Sequence, residues 1–350
     1  MRIRRFVPAL ALFPLLTSLL LAAPPRAATA QEGACFAETG FCARGRFLAY
    51  WTANGGLTIN GFPLSDERRE TLEDGNEYTV QYFERARLEY HPENLAPYDV
   101  LLGQFGRRIY AGTVSNPLPA IDERFRGYWE ANGGLAQFGY PISGSYPEQL
   151  ADGTIYTVQY FERARFELHP ENRAPDDLLL GQFGRQVLAE NALVAEPFRA
   201  LFIARRAVGR PLAAATVTPA TYLPFERGAL LYQADTRTIH LFGLIPGTDG
   251  GDHATFPDTW DPGQPVGGGA GPTPGLYEPA RGFGTLWRAH PEVRAQLGYA
   301  TATAETGYTL TAQTFQTVPV SRAGVTLYTR PDGRTAYAAN QATYYLLPLR

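Results

Sequence analysis

Lysine is missing from this 350-residue chain, and all 31 basic residues are arginine. Schiff-base lysine chemistry and lysine-containing phosphate loops are therefore excluded. Cysteine is nearly as scarce: Cys35 and Cys42 are the only two. Their spacing fits neither a CxxC redox motif nor, without further ligands, a zinc site. The five histidines, His91, His169, His240, His253 and His290, stand apart with no HExxH spacing, so no metal is expected. His253 with Asp249, Asp252 and Asp258 has a metal-like composition but lacks the calcium-loop pattern and reads as a solvated loop. Gly144-Ser145-Tyr146-Pro147 lacks the second glycine of a nucleophile elbow, and Gly282-Phe283-Gly284 lacks the third glycine of a dinucleotide fingerprint. No cofactor is expected. A formal charge of −3 without basic runs also argues against nucleic acid as a partner.

What the chain does have begins with a leader. Three arginines in the first five residues, an apolar run over 6–23 and the small residues Ala28-Thr29-Ala30 read as a signal peptide over 1–30. Pro8, Pro14 and Pro24-Pro25 interrupt that run and disfavour a spanning anchor. Removing the leader takes four arginines and no acid, leaving a more acidic chain. A secreted protein, extracellular or cell-wall associated and without a membrane span after cleavage, is expected. In an oxidising compartment, Cys35 and Cys42 should close a small disulfide loop over 31–45.

Repetition dominates the rest. Residues 47–107 align with 125–185 without gaps, and the run 78–87 recurs unchanged at 156–165. Phe47, Tyr50 and Trp51, like Phe125, Tyr128 and Trp129, lie on one face of a short helix, with Asp122 as a plausible N-cap in the second copy. A Gly-aromatic-Pro turn follows at 61–63 and 139–141, then a hairpin in which 87–90 returns against 78–83. Weaker copies are 208–211 with 224–232, and 282–287 with 297–300 and 313–316. The chain is thus divided into units at 46–118, 119–195, 196–245 and 281–350, with a Gly/Pro-rich loop or linker over 246–280. The expected fold is α+β and β-rich: tandem units of a short helix plus a β-hairpin, packed into a compact, pseudo-symmetric body. One such unit is too small to bury a core alone.

These turns and hairpins resemble the LGFP repeat of exported bacterial proteins. Its turn corresponds to 60–63, 138–141, 208–211 and 297–300, and its hairpin to 81–85, 159–163, 225–228 and 313–316. Arg210 stands at the aromatic position, Ala300 at the proline, and Ala86 and Ala164 where Gly228 stands. The resemblance implies noncatalytic attachment to cell-envelope polysaccharide.

Glu84 with Glu89, and Glu162 with Glu167, have the composition of a glycosidase pair, but three occurrences of Phe-Glu-Arg speak for structure over a single catalytic dyad. Aromatic faces with neighbouring polar groups suit sugar rings. The ligand-binding candidates are therefore Gln81, Tyr82, Glu84, Arg85, Gln159, Tyr160, Glu162, Arg163, Glu226 and Arg227. Strand parity allows either the Tyr82 and Glu84 set or the Gln81 and Arg85 set to face outward. The expected function is noncatalytic binding of envelope or extracellular polysaccharide. A protein-interaction scaffold, or a secreted glycan hydrolase using Glu84 or Glu162, are the alternatives.

Overall fold

A computed structural model describes residues 33–203, 208–316 and 324–349. The leader over 1–30 lies outside them. The described chain is α+β and strand-rich. It opens with β1 (Gly33–Cys35) and β2 (Cys42–Arg44), a hairpin closed by the expected Cys35–Cys42 disulfide.

The first long repeat runs through α1 (Gly45–Ala53), α2 (Gly56–Asn60), β3 (Arg68–Thr71), β4 (Glu77–Tyr82), β5 (Arg87–Tyr90), β6 (Val100–Leu102) and α3 (Phe105–Ile109). The second has the same order: α4 (Glu123–Ala131), α5 (Gly134–Phe138), β7 (Tyr146–Gln149), β8 (Ile155–Tyr160), β9 (Arg165–Leu168), β10 (Leu178–Leu180) and α6 (Phe183–Leu193). Each makes a four-stranded antiparallel sheet, in which Tyr82 pairs with Arg87 and Tyr160 with Arg165. Asp122 does cap α4, accepting from the Arg124 amide. Phe47 and Phe125 are fully buried on the helix stripe, each contributing roughly 2 kcal/mol by apolar burial. The indole N–H groups of Trp51 and Trp129 donate to the carbonyls of Gly61 and Gly139, joining each helix to its turn.

The two repeats complete each other. The Arg107 amide donates to the Glu162 carbonyl, and the Arg185 amide to that of Glu84. Both arginines then reach the carboxylate of the same glutamate, each at 2.6 Å. A Cβ at Gly106 would strike the Phe161 carbonyl, and one at Gly184 the Phe83 carbonyl, so glycine is what allows this approach. Val80, Tyr82 and Phe105 of one repeat share a core with Val158, Tyr160 and Phe183 of the other.

The rest of the chain departs from the expected division. After α7 (Glu196–Ile203) come β11 (Thr216–Phe225), β12 (Gly228–Gln233), β13 (Thr238–Leu244) and β14 (Gly250–Pro257). A short hairpin, β15 (Gly267–Ala270) and β16 (Tyr277–Ala280), leads to α8 (Arg281–Ala289) and α9 (Pro291–Leu297). The last strands are β17 (Thr306–Phe315), β18 (Val325–Thr329), β19 (Thr335–Ala339) and β20 (Thr343–Pro348). Eight of these strands close into an antiparallel barrel in the order β11-β12-β13-β14-β20-β19-β18-β17. The Gly/Pro-rich segment is therefore not simply a linker. It supplies β14, where Gly251 lets the backbone pass against the Gly243 carbonyl, together with the β15–β16 hairpin.

The turns and hairpins assigned to units three and four also exchange partners. Pro211 bridges Phe315, and Ala300 bridges Phe225, as Pro63 bridges Phe83 and Pro141 bridges Phe161. Each late turn is thus completed by strands from the other segment, correcting the grouping into 196–245 and 281–350. Helices α8 and α9 cover one outer part of the barrel through Phe283, Leu286, Trp287 and Leu297, and α7 covers another through Phe198 and Phe202. None of the described helices is long and apolar enough to cross a membrane.

Candidate functional site

The sequence-derived candidates occupy the joints of the fold. Gln81 and Gln159 are completely buried. The Gln81 amide donates to the carbonyls of Cys42 and Ser65, and that of Gln159 to Ala120 and Ser143. Tyr82 and Tyr160 are buried too, their hydroxyls donating to Glu70 and Glu148 at 2.8 and 3.1 Å. Neither set at these positions faces outward, because each repeat covers one face of the sheet with its own helix and the other with its sister repeat.

Glu84, Glu162 and Glu226 accept from the turn amides of Phe62, Tyr140 and Tyr299. Arg85 and Arg163 donate to the carbonyls of Leu57 and Leu135, and Arg227 to those of Gln296 and Ala295. Phe-Glu-Arg therefore acts as a latch: glutamate holds the turn amide, and arginine holds carbonyls of the preceding short helix. A Cβ at Gly61 or Gly139 would lie 2.7 or 2.6 Å from a carboxylate oxygen of Glu84 or Glu162, and both glycines have φ near +79°.

The histidines belong to two kinds of setting. His91 lies between Glu93, 2.8 Å from Nδ1, and Glu89, 3.3 Å from Nε2, with the Tyr78 ring tilted against it at 4.1 Å. His169 repeats this arrangement with Glu171, Glu167 and Tyr156. His240 and His253 lie inside the barrel, which corrects the expectation that His253 sits in a solvated loop. Eight strands leave an interior of a width that side chains fill. Here Phe242 stacks on Tyr337 at 3.8 Å, and Arg330 donates to the Tyr222 hydroxyl.

The geometry also fixes how the interior histidines carry their protons. His253 Nδ1 donates to the Asn340 carbonyl at 2.6 Å, so its Nε2 accepts from His240 Nδ1 at 3.3 Å. His240 Nε2, left unprotonated, lies 3.2 Å from the Gln233 amide oxygen; a half-turn of that amide brings its N–H group there instead. Burial, with His253 alongside, pushes His240 down to about 4, and burial also lowers His253. The pair is neutral at physiological pH. Among the described residues, no group of His, Cys, Asp and Glu is placed to hold a metal ion.

One cleft that combines aromatic and charged side chains lies on the outer wall of the barrel. It has a volume of about 280 Å³. Tyr232, Ile239, Trp260, Asp261, Arg281 and Glu305 are among the residues that line it. Asp258 stands against Gly282 at the start of α8, where any Cβ would meet its carboxylate. The Arg237 guanidinium donates to the Trp260 carbonyl at 3.1 Å and to the Asp261 carboxylate at 3.3 Å, holding the tryptophan loop. Arg281 is 3.6 Å from Glu305 and more than half exposed. Burial raises the Glu305 carboxyl; Arg281 opposes this and Asp258 adds to it.

Sequence reasoning missed this cleft. The available signal was Trp260 between Asp258 and Asp261 in a segment otherwise rich in Gly and Pro. A wider depression of about 560 Å³ lies on the first repeat beside Tyr78 and His91. Its Glu89 carboxylate is already engaged by Arg87 and His91. No family model, no curated protein and no solved structure matches the chain.

Proposed function

We propose that this is an exported, noncatalytic protein that attaches to envelope or extracellular polysaccharide, built from units similar to the LGFP repeat. The observation that carries the reading is the Trp260 cleft: an indole and a phenol beside carboxylates and guanidinium groups, which together suit the apolar face and the hydroxyl rim of a sugar ring. The unit reading is supported by the recurring latch. Trp51, Trp129 and Trp287 donate to the carbonyls of Gly61, Gly139 and Gly298, and Glu84, Glu162 and Glu226 hold the turns that follow. In this reading the repeats are rigid support and the cleft is the attachment point, so the buried Gln81 and Gln159 have no direct ligand role.

The test is retention of the full chain on insoluble cell-wall glycan, with release of reducing sugar measured in parallel. Retention without sugar release is expected, with at least a tenfold loss in Trp260→Ala. Failure to bind any wall fraction counts against the reading, and sugar release would replace attachment by hydrolysis.

A second reading, a protein-interaction scaffold, is favoured by Leu95 and Tyr98, which are 86% and 72% exposed between β5 and β6. It requires a partner that still binds after complete deglycosylation.

A further inference from the structure

Among the described residues, Arg237 and Arg281 are the two non-glycine residues with left-handed φ, at 49° and 47°. Both line the Trp260 cleft. A left-handed conformation costs an ordinary residue roughly 1–2 kcal/mol, and such strain collects at sites of function.

The position of Arg281 has an internal reference. It is the first residue of a nine-residue helix entered from extended backbone, followed two residues later by buried Phe283 and six later by Trp287. The first residue of α1 has the same setting, with Phe47 and Trp51 at the same spacing. There the residue is Gly45, with φ of 48°. One copy thus uses glycine, which adopts this conformation freely, and α8 uses arginine. Helix α4, with Phe125 and Trp129 at the same spacing, opens on Glu123 outside the left-handed region, so this helix start does not itself require the strain. The fold gains little from the exchange, since a half-exposed ion pair to Glu305 at 3.6 Å contributes little stability.

Arg237 supplies the complementary half. It is the last residue of the tight connection between β12 and β13, and its guanidinium fixes the loop that carries Trp260. It is a positioning residue for Trp260, whereas Arg281 faces the open space.

The charges around that space select among sugars. Asp258, Asp261 and Glu305 bring three carboxylates against two guanidinium groups, and Arg237 is already engaged by the loop. An acidic sugar would meet this carboxylate excess, whereas an uncharged ring offers hydroxyls that both carboxylates and Arg281 can bond. Resting on the glycan-binding reading above, we infer that the cleft takes an uncharged pyranose unit and that Arg281 is a ligand-contacting residue held in a strained backbone for that purpose.

The test is calorimetric titration of the full chain with maltotetraose, cellotetraose, mannotetraose and tetragalacturonate, alongside unfolding midpoints. At least one neutral tetrasaccharide is expected to bind, with tetragalacturonate at least tenfold weaker. Arg281→Gly is expected to lose tenfold or more in affinity while its unfolding midpoint stays level or rises. Trp260→Ala is expected to abolish binding. Equal or tighter binding of tetragalacturonate overturns the choice of an uncharged sugar but leaves glycan binding intact. Unchanged affinity in Arg281→Gly, or a lowered midpoint, overturns the role given to Arg281. Sugar binding that survives in Trp260→Ala moves the site elsewhere. No binding of any tetrasaccharide overturns the inference, and if wall retention fails as well, the glycan reading falls with it.

Discussion

The repeat pair and the barrel use the same residue types in opposite ways. In the repeats, recurring polar groups knit backbone to backbone across two copies, and His91 sits near the surface between two carboxylates. The barrel closes on itself, and its histidines lie inside, bonded to one another and to neutral partners. Stability in the first region depends on the fit of one copy against the other, with charge favoured at its histidine. In the second it depends on a packed interior in which burial keeps the two histidines neutral, although Arg330 enters it against the Tyr222 hydroxyl. A substitution or a change of pH should therefore act on the two regions with different size and different sign.

The largest expected effect is at the joint between repeats. In Gly106→Ala the new methyl group would occupy the position of the Phe161 carbonyl oxygen, which belongs to backbone and has nowhere to retreat. A loss of about 3 kcal/mol or more in urea unfolding is expected, in the range of severe steric substitutions. Gly127→Ala is the matched control. Gly127 lies within α4, and a Cβ there meets nothing within 4 Å. It should gain up to about 1 kcal/mol from helix propensity. If the two variants unfold alike, the reciprocal docking is not what holds the repeats together.

How much of this was legible in the sequence follows from the range of the interactions. The Phe47 and Phe125 stripes, the Asp122 cap and the Cys35–Cys42 bridge are local, and could be read from spacing. The alternation of the strand through Gln81 and Tyr82 predicts that one of its two faces is outward. That alternation could not show that a second copy of the same strand covers the other side. The barrel was hidden for a related reason. Leu230, Ile239 and Leu241 pack outward under helices while Leu231 and Phe242 pack inward, so β12 and β13 are apolar on both faces. Nothing local told that Pro211 pairs with Phe315 across more than a hundred residues. The cleft depends on Arg281 occupying the backbone position of Gly45, an equivalence visible only once both helices are placed.

Acid should act first on the barrel. His240 is pushed down to about 4 by burial, with His253 contributing, whereas an unfolded histidine titrates near about 6.5. Between those values the unfolded chain binds more protons than the folded one. The stability conferred by neutral His240 is therefore complete above about pH 6.5 and lost as pH falls toward 4, by on the order of 3 kcal/mol. His240→Gln removes the titrating group, so its unfolding free energy should depend less steeply on pH across that interval. An unchanged slope would mean that the interior admits a charged imidazole.

The smallest effect has the opposite sign, and comes from the repeat. The Glu89 hydrogen bond is the main cause raising His91; burial opposes it, and Glu93 adds to the rise. A raised folded value means that the folded chain binds the extra proton, so the stabilisation is present below about pH 6.5 and fades as pH rises through the folded value. The site is partly exposed, and solvent screening keeps the contribution to no more than about 1 kcal/mol. Wild type should exceed His91→Gln in stability at pH 6 and lose that advantage by pH 9, measured as the difference between two urea titrations. An advantage that grows with pH would show that His91 is held neutral, like the barrel pair, and the contrast between the two regions would then rest on packing alone.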